Sequence, residues 1–304
     1  MGRAILLTGG GGQVGTELRR LALIDDEMAG FQIVAPGHGE LDLADPDAIA
    51  RAVAARPWAA VINSGAYTAV DKAETEPVAA WKINALGPAA LAYATAQAGV
   101  PLLQVSTDYV FDGAKPGPYV ETDPVGPLGV YGASKEAGEQ AVRTGNPRHI
   151  VLRTAWVVSP HGGNFVKTML RLAETRDALR VVDDQHGCPT SAADIAHTLI
   201  TLARRLIDDA AAPVGTYHFV NAGEATWCGF AREIFARAEA HGRKAPTVEA
   251  ITTADYPTPA RRPANSRLDT SKLARDFGVI PRPWRTAAGE VVDTLLAMTT
   301  EERR

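Results

Sequence analysis

The chain has 304 residues, 46% hydrophobic and 22% charged, enough apolar material for a sizeable core or two adjoining lobes. Lys and Arg number 31 against 35 Asp and Glu, a net charge of −4 that argues against broad electrostatic capture of nucleic acid. A mean hydropathy of −0.08 and the lack of any run of 18 apolar residues argue against a membrane partner.

Two cysteines, Cys188 and Cys228, are too few for a disulfide framework or a zinc site; they suit a reducing compartment, so a cytoplasmic protein is expected. The chain starts Met1-Gly2-Arg3 and passes through Ala4-Ile5-Leu6-Leu7 into glycines. That apolar run is too short for a secretory signal and reads as a first strand.

Short runs apolar on both sides predict strands at 4–8, 32–35, 59–63, 102–106 and 150–153. Amphipathic stretches between them predict helices at 13–23, 46–55, 78–97 and 134–143. The alternation predicts an α/β fold, a doubly wound parallel (Rossmann) sheet whose ligands sit beyond the carboxyl ends of the strands. Residues 112–129 hold four Gly and four Pro, a density that neither helix nor strand tolerates, and read as a binding loop between a strand end and a helix start. Beyond 153, helical patterns at 165–172, 191–206 and 228–240 alternate with polar connections such as 256–265. These predict a smaller C-terminal substrate-binding lobe, some of whose chain returns to the first domain. The expected division is 1–154 with about 190–220 for dinucleotide binding, and 155–189 with 221–304 for the substrate.

The turn after the first strand is Thr8-Gly9-Gly10-Gly11-Gly12-Gln13-Val14-Gly15. Gly10, Gly12 and Gly15 fit G-x-G-x-x-G, while Gly9, Gly12 and Gly15 fit G-x-x-G-x-x-G. Either spacing gives a tight turn that lets backbone approach a pyrophosphate at a helix N-terminus. A glycine motif alone is weak, but strand before and helix after is the context it requires. The second strand ends Ala35-Pro36-Gly37-His38-Gly39-Glu40, with no acid at its tip to hold ribose hydroxyls, which leaves NADH and NADPH both open. Asp42 and Leu43 read either as an adenine border or as the approach to a helix N-cap.

Tyr131-Gly132-Ala133-Ser134-Lys135 sets Tyr and Lys four apart, on one helical face. A phenol is a poor acid–base at neutral pH, and a neighbouring ammonium is expected to lower its pKa. Upstream, Ser106-Thr107-Asp108 ends a buried strand. Thr107 is the better placed to bond a substrate carbonyl oxygen; Ser106 reads as satisfying local backbone. Dinucleotide turn, strand-end hydroxyl and Tyr-x-x-x-Lys together describe hydride transfer coupled to proton transfer at a carbonyl.

These motifs resemble the extended short-chain dehydrogenase/reductases, and within them the dTDP-4-dehydrorhamnose reductases, which complete dTDP-L-rhamnose synthesis for cell-envelope polysaccharide. The likeness runs nearly end to end. It is carried by Asn63–Glu74, Ser106–Gly113, Val130–Lys135, Leu152–Val157, Asn164-Phe165, Asp183–Thr190 and Arg262–Leu268. It implies NADPH or NADH as cofactor and a dTDP-linked 4-keto-6-deoxyhexose as substrate. Gly9, Gly12, Gln13, Val14 and Gly15 would cradle the pyrophosphate. Asp42 and Leu43 would border the adenine, and Gly65, Ala66 and Tyr67 would flank the middle of the cofactor. Tyr131 would donate the proton and Lys135 would hold the nicotinamide ribose. Thr107, Asp108 and Trp156 would meet the sugar, and Arg262 or Arg261, with Asn265, the diphosphate. A homodimer is compatible with the resemblance.

There are departures. Ser64-Gly65 stand where relatives often carry an alanine pair. Relatives that bind magnesium at a subunit contact use an acid on the first helix; Glu17 corresponds, but the partner acid is replaced by Ala193, with Asp194 adjacent, so no metal is assigned. Asn84 reads either as holding a water or backbone near the lysine or as a buried structural amide. His38, His161 and His186 lack metal-ligand spacing. Trp227 and Phe230 are expected in the core. Two alternatives remain: another enzyme of the same superfamily such as a nucleotide-sugar epimerase, and a non-catalytic subunit resembling the regulatory subunit of methionine adenosyltransferase.

Overall fold

The computed structural model describes residues 3–24 and 30–298; residues 1–2, 25–29 and 299–304 of the expected lobes lie outside it. The first strands are β1 (Arg3–Thr8), β2 (Phe31–Val34), β3 (Ala60–Asn63), β4 (Leu102–Thr107) and β5 (His149–Thr154). With the strand Gly215–His218 they form a parallel sheet in the order Gly215–His218, β5, β4, β3, β1, β2. The chain therefore winds outward from β1 in both directions, and the switch point lies between β1 and β3, where such sheets open a crevice for ligands.

Both faces are covered, which is why these strands are apolar throughout. Ile5 and Leu7 of β1, Ile62 of β3 and Ile150 and Leu152 of β5 point to one face, against Val14 and Leu18 of helix α1 (Gln13–Ile24) and the helix Ala192–Asp208. Ala4, Leu6, Val61 and Val151 point to the other, against Ile49 of helix α2 (Pro46–Ala54), Leu91 and Val142. Successive residues of one strand thus serve two cores. A separate core, built on Phe111, Val166, Phe230, Trp284 and Val292, holds the C-terminal lobe together. The lobe's strands are short pairs, the longest being Thr247–Ile251 with Ala178–Val182. Among the described residues no helix is long and apolar enough to cross a membrane.

Two helices differ from expectation. The stretch 78–97 is not one α-helix: Pro77–Trp81 and Gly87–Gln97 flank a π-helical turn, Lys82–Leu86. Pro88 lacks the N–H that would bond the carbonyl of Asn84, so the ladder is interrupted there. The helix expected at 134–143 begins earlier and spans Val130–Gly145. Its first N–H, of Val130, donates to the distant Glu74 carboxylate at 2.9 Å, a cap that local sequence does not display.

Candidate active site

The glycine turn is shaped by steric necessity at three positions, Gly9, Gly10 and Gly15, a Cβ on Gly10 lying 2.7 Å from Ala35 Cβ. Gly9 has φ +72°, and a Cβ there would lie 2.4 Å from the Gly65 nitrogen. A Cβ on Gly15 would lie 2.1 Å from the Gly9 carbonyl oxygen. Gly12 N–H donates to that same oxygen at 3.0 Å and leads into α1, so Gly9, Gly12 and Gly15 meet in the turn while Gly10 packs on the end of the second strand. The β1 and β3 ends are tied together as well. The fully buried Asn63 accepts from the Thr8 hydroxyl and, at 3.1 Å, from Gly65 N–H, and donates to Gln104 at 2.7 Å. The turn opens on a cleft of about 540 Å³ where the first N–H groups of α1 lack intrahelical partners. A close-approach cradle with free donors at a helix N-terminus fits the pyrophosphate of a dinucleotide.

Thr107, Tyr131 and Lys135 line this one cleft together with Gly9, Gly12 and Gly65. Tyr131 sits in the first turn of its helix, over the carboxyl end of β4. Lys135 is buried one turn on, its Nζ donating to the Val105 carbonyl at 2.7 Å. The Thr107 hydroxyl donates to Asp108 Oδ1 at 3.0 Å and accepts from Tyr109 N–H at 3.2 Å, in the cleft that also holds the Tyr131 phenol.

Electrostatics differ from the expectation of a lysine-lowered phenol. Burial is the largest influence on Tyr131 and pushes its pKa up; the Thr107 hydroxyl pulls it back, and the nearby Asp108 and Tyr109 push it up again. Burial likewise pushes Lys135 down, to about 8, opposed by the charge of Glu139 one turn further along the helix. Asp108 is 3% exposed, and burial raises its carboxyl to about 6 against the hydrogen bond it accepts from Thr107, its Oδ2 being buried without a hydrogen-bond partner.

Gln13, Val14, Ala66, Asp108 and Trp156 line the same cleft. Gly15 lies beneath the turn, and Leu43 packs behind Gly65, its Cδ1 2.6 Å from where a Gly65 Cβ would stand. Asp42 accepts from Ala44 N–H at 2.8 Å. Tyr67 turns its hydroxyl to Glu76 at 2.7 Å, while its backbone N–H and carbonyl are both held by Asn84. Asn84 also donates to Ser134 at 3.1 Å and is buried, so it holds the Tyr67 backbone and is a buried structural amide at once. Asn265 is committed elsewhere: its amide donates to the Lys115 and Gly117 carbonyls at 2.7 and 2.8 Å and pins the loop 112–129. Ser106 donates not to backbone but to Glu139, at 2.6 Å. Glu17 is buried and engaged by Arg20 at 2.7 Å and His161 at 3.4 Å.

A second cavity of about 520 Å³ adjoins the first and shares Tyr109 and Trp156 with it. Trp156 adopts φ +49° and stacks on Trp227 at 3.6 Å, so Trp227 is a half-buried cavity wall rather than core, while Phe230 is fully buried. Arg262 reaches the same cavity, bonding the Tyr109 hydroxyl at 3.1 Å and Asp71 at 2.6 Å; Arg261 lines only a neighbouring surface groove. Tyr109 in turn meets the Tyr131 ring edge-on at 5.4 Å. Sequence reasoning assigned no site role to Tyr109, Asp71 or Glu139. The available signal was Glu139 itself, an acid four residues after Lys135 on the face of the helix that carries the site.

A doubly wound parallel sheet, a glycine turn at its switch point and a Tyr-x-x-x-Lys pair under a strand-end threonine define a short-chain dehydrogenase/reductase of the extended type. Residues 3–297 match the model of the RmlD substrate binding domain family, and the chain belongs to that family. It is 46% identical over 293 residues to a dTDP-4-dehydrorhamnose reductase of Sinorhizobium fredii, covering 96% of this chain and 97% of that one. The crystal structure of a dTDP-4-dehydrorhamnose reductase from Clostridium acetobutylicum superposes with a TM-score of 0.89 at 36% identity, covering 96% and 99% of the two chains. That of the Bacillus anthracis enzyme in complex with NADP gives 0.86 at 32% identity, covering 98% and 100%.

Proposed function

We propose that this chain is a dTDP-4-dehydrorhamnose reductase, which reduces the C4 ketone of dTDP-4-dehydro-L-rhamnose to dTDP-L-rhamnose at the expense of NAD(P)H. The observation that carries the reading is the meeting of Thr107, Tyr131 and Lys135 beside the glycine turn in a single cleft. Residues 1–154 with about 190–220 serve the cofactor, and 155–189 with 221–304 the sugar nucleotide.

Gly9, Gly12, Gln13 and Val14 hold the pyrophosphate, with Gly15 supporting the turn. Asp42, Leu43, Gly65, Ala66 and Tyr67 border the rest of the cofactor, and Lys135 its ribose. A reduced nicotinamide bound there supplies the hydride that adds to C4. As C4 becomes tetrahedral, negative charge gathers on O4. Tyr131 releases its phenolic proton to that oxygen. The raised pKa of Tyr131 suits this direction, because the phenol stays protonated at neutral pH and an alkoxide is the stronger base. Thr107 steadies the phenol with its hydroxyl, and Lys135, when charged, stabilises the phenolate that remains. Asp108 and Trp156 position the sugar. Arg262 and the aromatic second cavity receive the nucleoside diphosphate, a planar ring and an anion for which stacked aromatics and a guanidinium are matched partners.

We infer a cytoplasmic reaction, in keeping with the two buried free thiols, and propose a homodimer as the assembly to be tested. The test is the absorbance of NADPH or NADH followed with purified protein and dTDP-4-dehydro-L-rhamnose. Stoichiometric cofactor oxidation with appearance of dTDP-L-rhamnose is expected. Isomerisation with no net oxidation would make the chain an epimerase, and silence from active-site-intact protein would make it a binding subunit. Light scattering of the same sample checks the dimer.

A further inference from the structure

The adenosine end of the groove carries a feature that the reaction leaves unexplained. The tip of β2 runs Ala35-Pro36-Gly37 and offers no carboxylate. Gly10 packs against that tip: a Cβ on Gly10 would lie 2.7 Å from Ala35 Cβ, and its next neighbour is Cδ of Arg19, at 3.6 Å. The stem of Arg19 therefore lies along the surface formed by the glycine turn and the β2 tip, and the residue is exposed to solvent.

The charges around it are otherwise engaged. Arg20 is bound to Glu17 at 2.7 Å. Glu40, the first acid after the tip, accepts from Gly37 N–H at 2.9 Å. His38 lies 3.9 Å from Asp42, whose Oδ1 accepts from Ala44 N–H. Among the described residues Arg19 forms no ion pair with any of them.

On a sheet of this kind the adenosine ribose of a dinucleotide lies at the end of the second strand. An acid there binds the ribose 2′-hydroxyl and repels a phosphate; a nearby arginine accepts the 2′-phosphate. We propose that Arg19 is the 2′-phosphate receptor of this chain, and that it makes NADPH the preferred reductant over NADH. Two observations independent of each other point the same way: the carboxylate that would oppose a phosphate is absent from the strand tip, and the stem of Arg19, which has no ion pair among the described residues, reaches that tip. The proposal rests on the cofactor groove being the one assigned under the proposed function. The effect expected is about tenfold to a hundredfold in binding, the range of a hydrogen bond to a charged group.

The test is calorimetric titration of wild-type protein and Arg19→Ala with adenosine 2′,5′-bisphosphate and with 5′-AMP, beside the ratio of kcat/KM for NADPH and NADH. Arg19 is exposed, so folding is not at stake. Wild type is expected to bind the bisphosphate at least about tenfold more tightly than 5′-AMP, and the substitution to bring the two within about threefold, with the NADPH/NADH ratio falling in parallel. Equal binding of the two nucleotides by wild type overturns the proposal, as does a bisphosphate preference that survives in Arg19→Ala. Oxidation of neither cofactor in the presence of the keto sugar overturns the reductase reading itself. Oxidation of both with equal kcat/KM leaves that reading standing and overturns this one alone.

Discussion

Replacement of Glu139 by Gln tests the electrostatics beneath the site. Glu139 has no exposed side-chain surface and accepts from Ser106 at 2.6 Å, from Arg143 at 2.8 Å and from Arg153 at 2.7, 2.9 and 3.1 Å. Arg153 is itself 3% exposed, and Glu139 is its acidic partner among the described residues. Its other polar neighbour, His218 at 3.5 Å, is pushed down to about 3 by burial and by the Arg153 charge, so it stays neutral and cannot replace the carboxylate. Glutamine keeps the volume and one acceptor but leaves the Arg153 charge buried and uncompensated. Breaking a buried pair from one side costs about 3–5 kcal/mol. In a chain of this size that is a fall in Tm of roughly 5–15 °C.

A second effect reaches the chemistry. Glu139 raises Lys135, which burial has already lowered to about 8. Without the carboxylate Lys135 falls further, so the ammonium is lost at lower pH and the basic limb of the kcat/KM profile moves toward neutrality. Differential scanning calorimetry at pH 7.5 and a pH–rate series measure the two effects. A Tm within about 2 °C of wild type, together with an unmoved basic limb, would refute the claim that this pair supports both fold and lysine.

Tyr131→Phe removes the only proton the phenol has to give, and kcat falls by about 10²–10⁴ while cofactor binding, measured by fluorescence titration, is retained; an unchanged kcat removes Tyr131 from the mechanism. Asp108→Asn has an effect on stability that depends on pH. The folded carboxyl titrates near 6 against an ordinary 3.8, so the folded state holds this proton more tightly than the unfolded one. The burial penalty is therefore absent below about pH 4, grows between pH 4 and 6, and is full above 6, where it is worth about 3 kcal/mol at most. Urea titrations should find the variant more stable than wild type at pH 8 and equal to it at pH 4; the reverse order would show the carboxylate to be stabilised where it lies. Gly15→Ala places a methyl 2.1 Å from the Gly9 oxygen and forces the turn open. A loss of about 1–3 kcal/mol is expected, together with loss of the upward Tm shift that NADPH gives wild type; a shift of the same size in the variant would mean that the turn does not hold the cofactor.

What the sequence made legible was local. A strand buried on both faces is apolar along its length, and β1, β3, β4 and β5 were found for that reason within a residue or two of their ends. The glycine turn was legible because its chemistry is consecutive, although the separate reasons for Gly9 and Gly10 needed the positions of Gly65 and Ala35, just beyond the ends of β3 and β2. The helix broken at Asn84 illustrates the opposite case. Pro88 was in plain view, but a proline near a helix start and a proline that opens a π-turn look alike until the packing of Gly138 on the Asn84 carbonyl is known; a Cβ on Gly138 would lie 2.1 Å from that oxygen.

The parts of the site that stayed hidden are the ones assembled across the chain. Arg262 meets Tyr109 and Asp71 over separations of 153 and 191 residues, and no spacing rule connects them. Asn265 sits in the same short motif as Arg262, yet its amide is spent on the loop 112–129 while Arg262 faces the cavity. A motif therefore marks a region of the site without assigning each member a contact with ligand. Lys135 carries the same lesson into the chemistry. Its spacing from Tyr131 was readable and suggested that the ammonium governs the phenol. With both buried, desolvation is the largest influence on each and drives the two pKa values apart, the phenol up and the lysine down, and neither group figures among the influences on the other. The charge on Lys135 then depends on Glu139, and Glu139 on Ser106 and Arg153, so the acid–base behaviour of a five-residue motif is set in part by residues on two neighbouring strands.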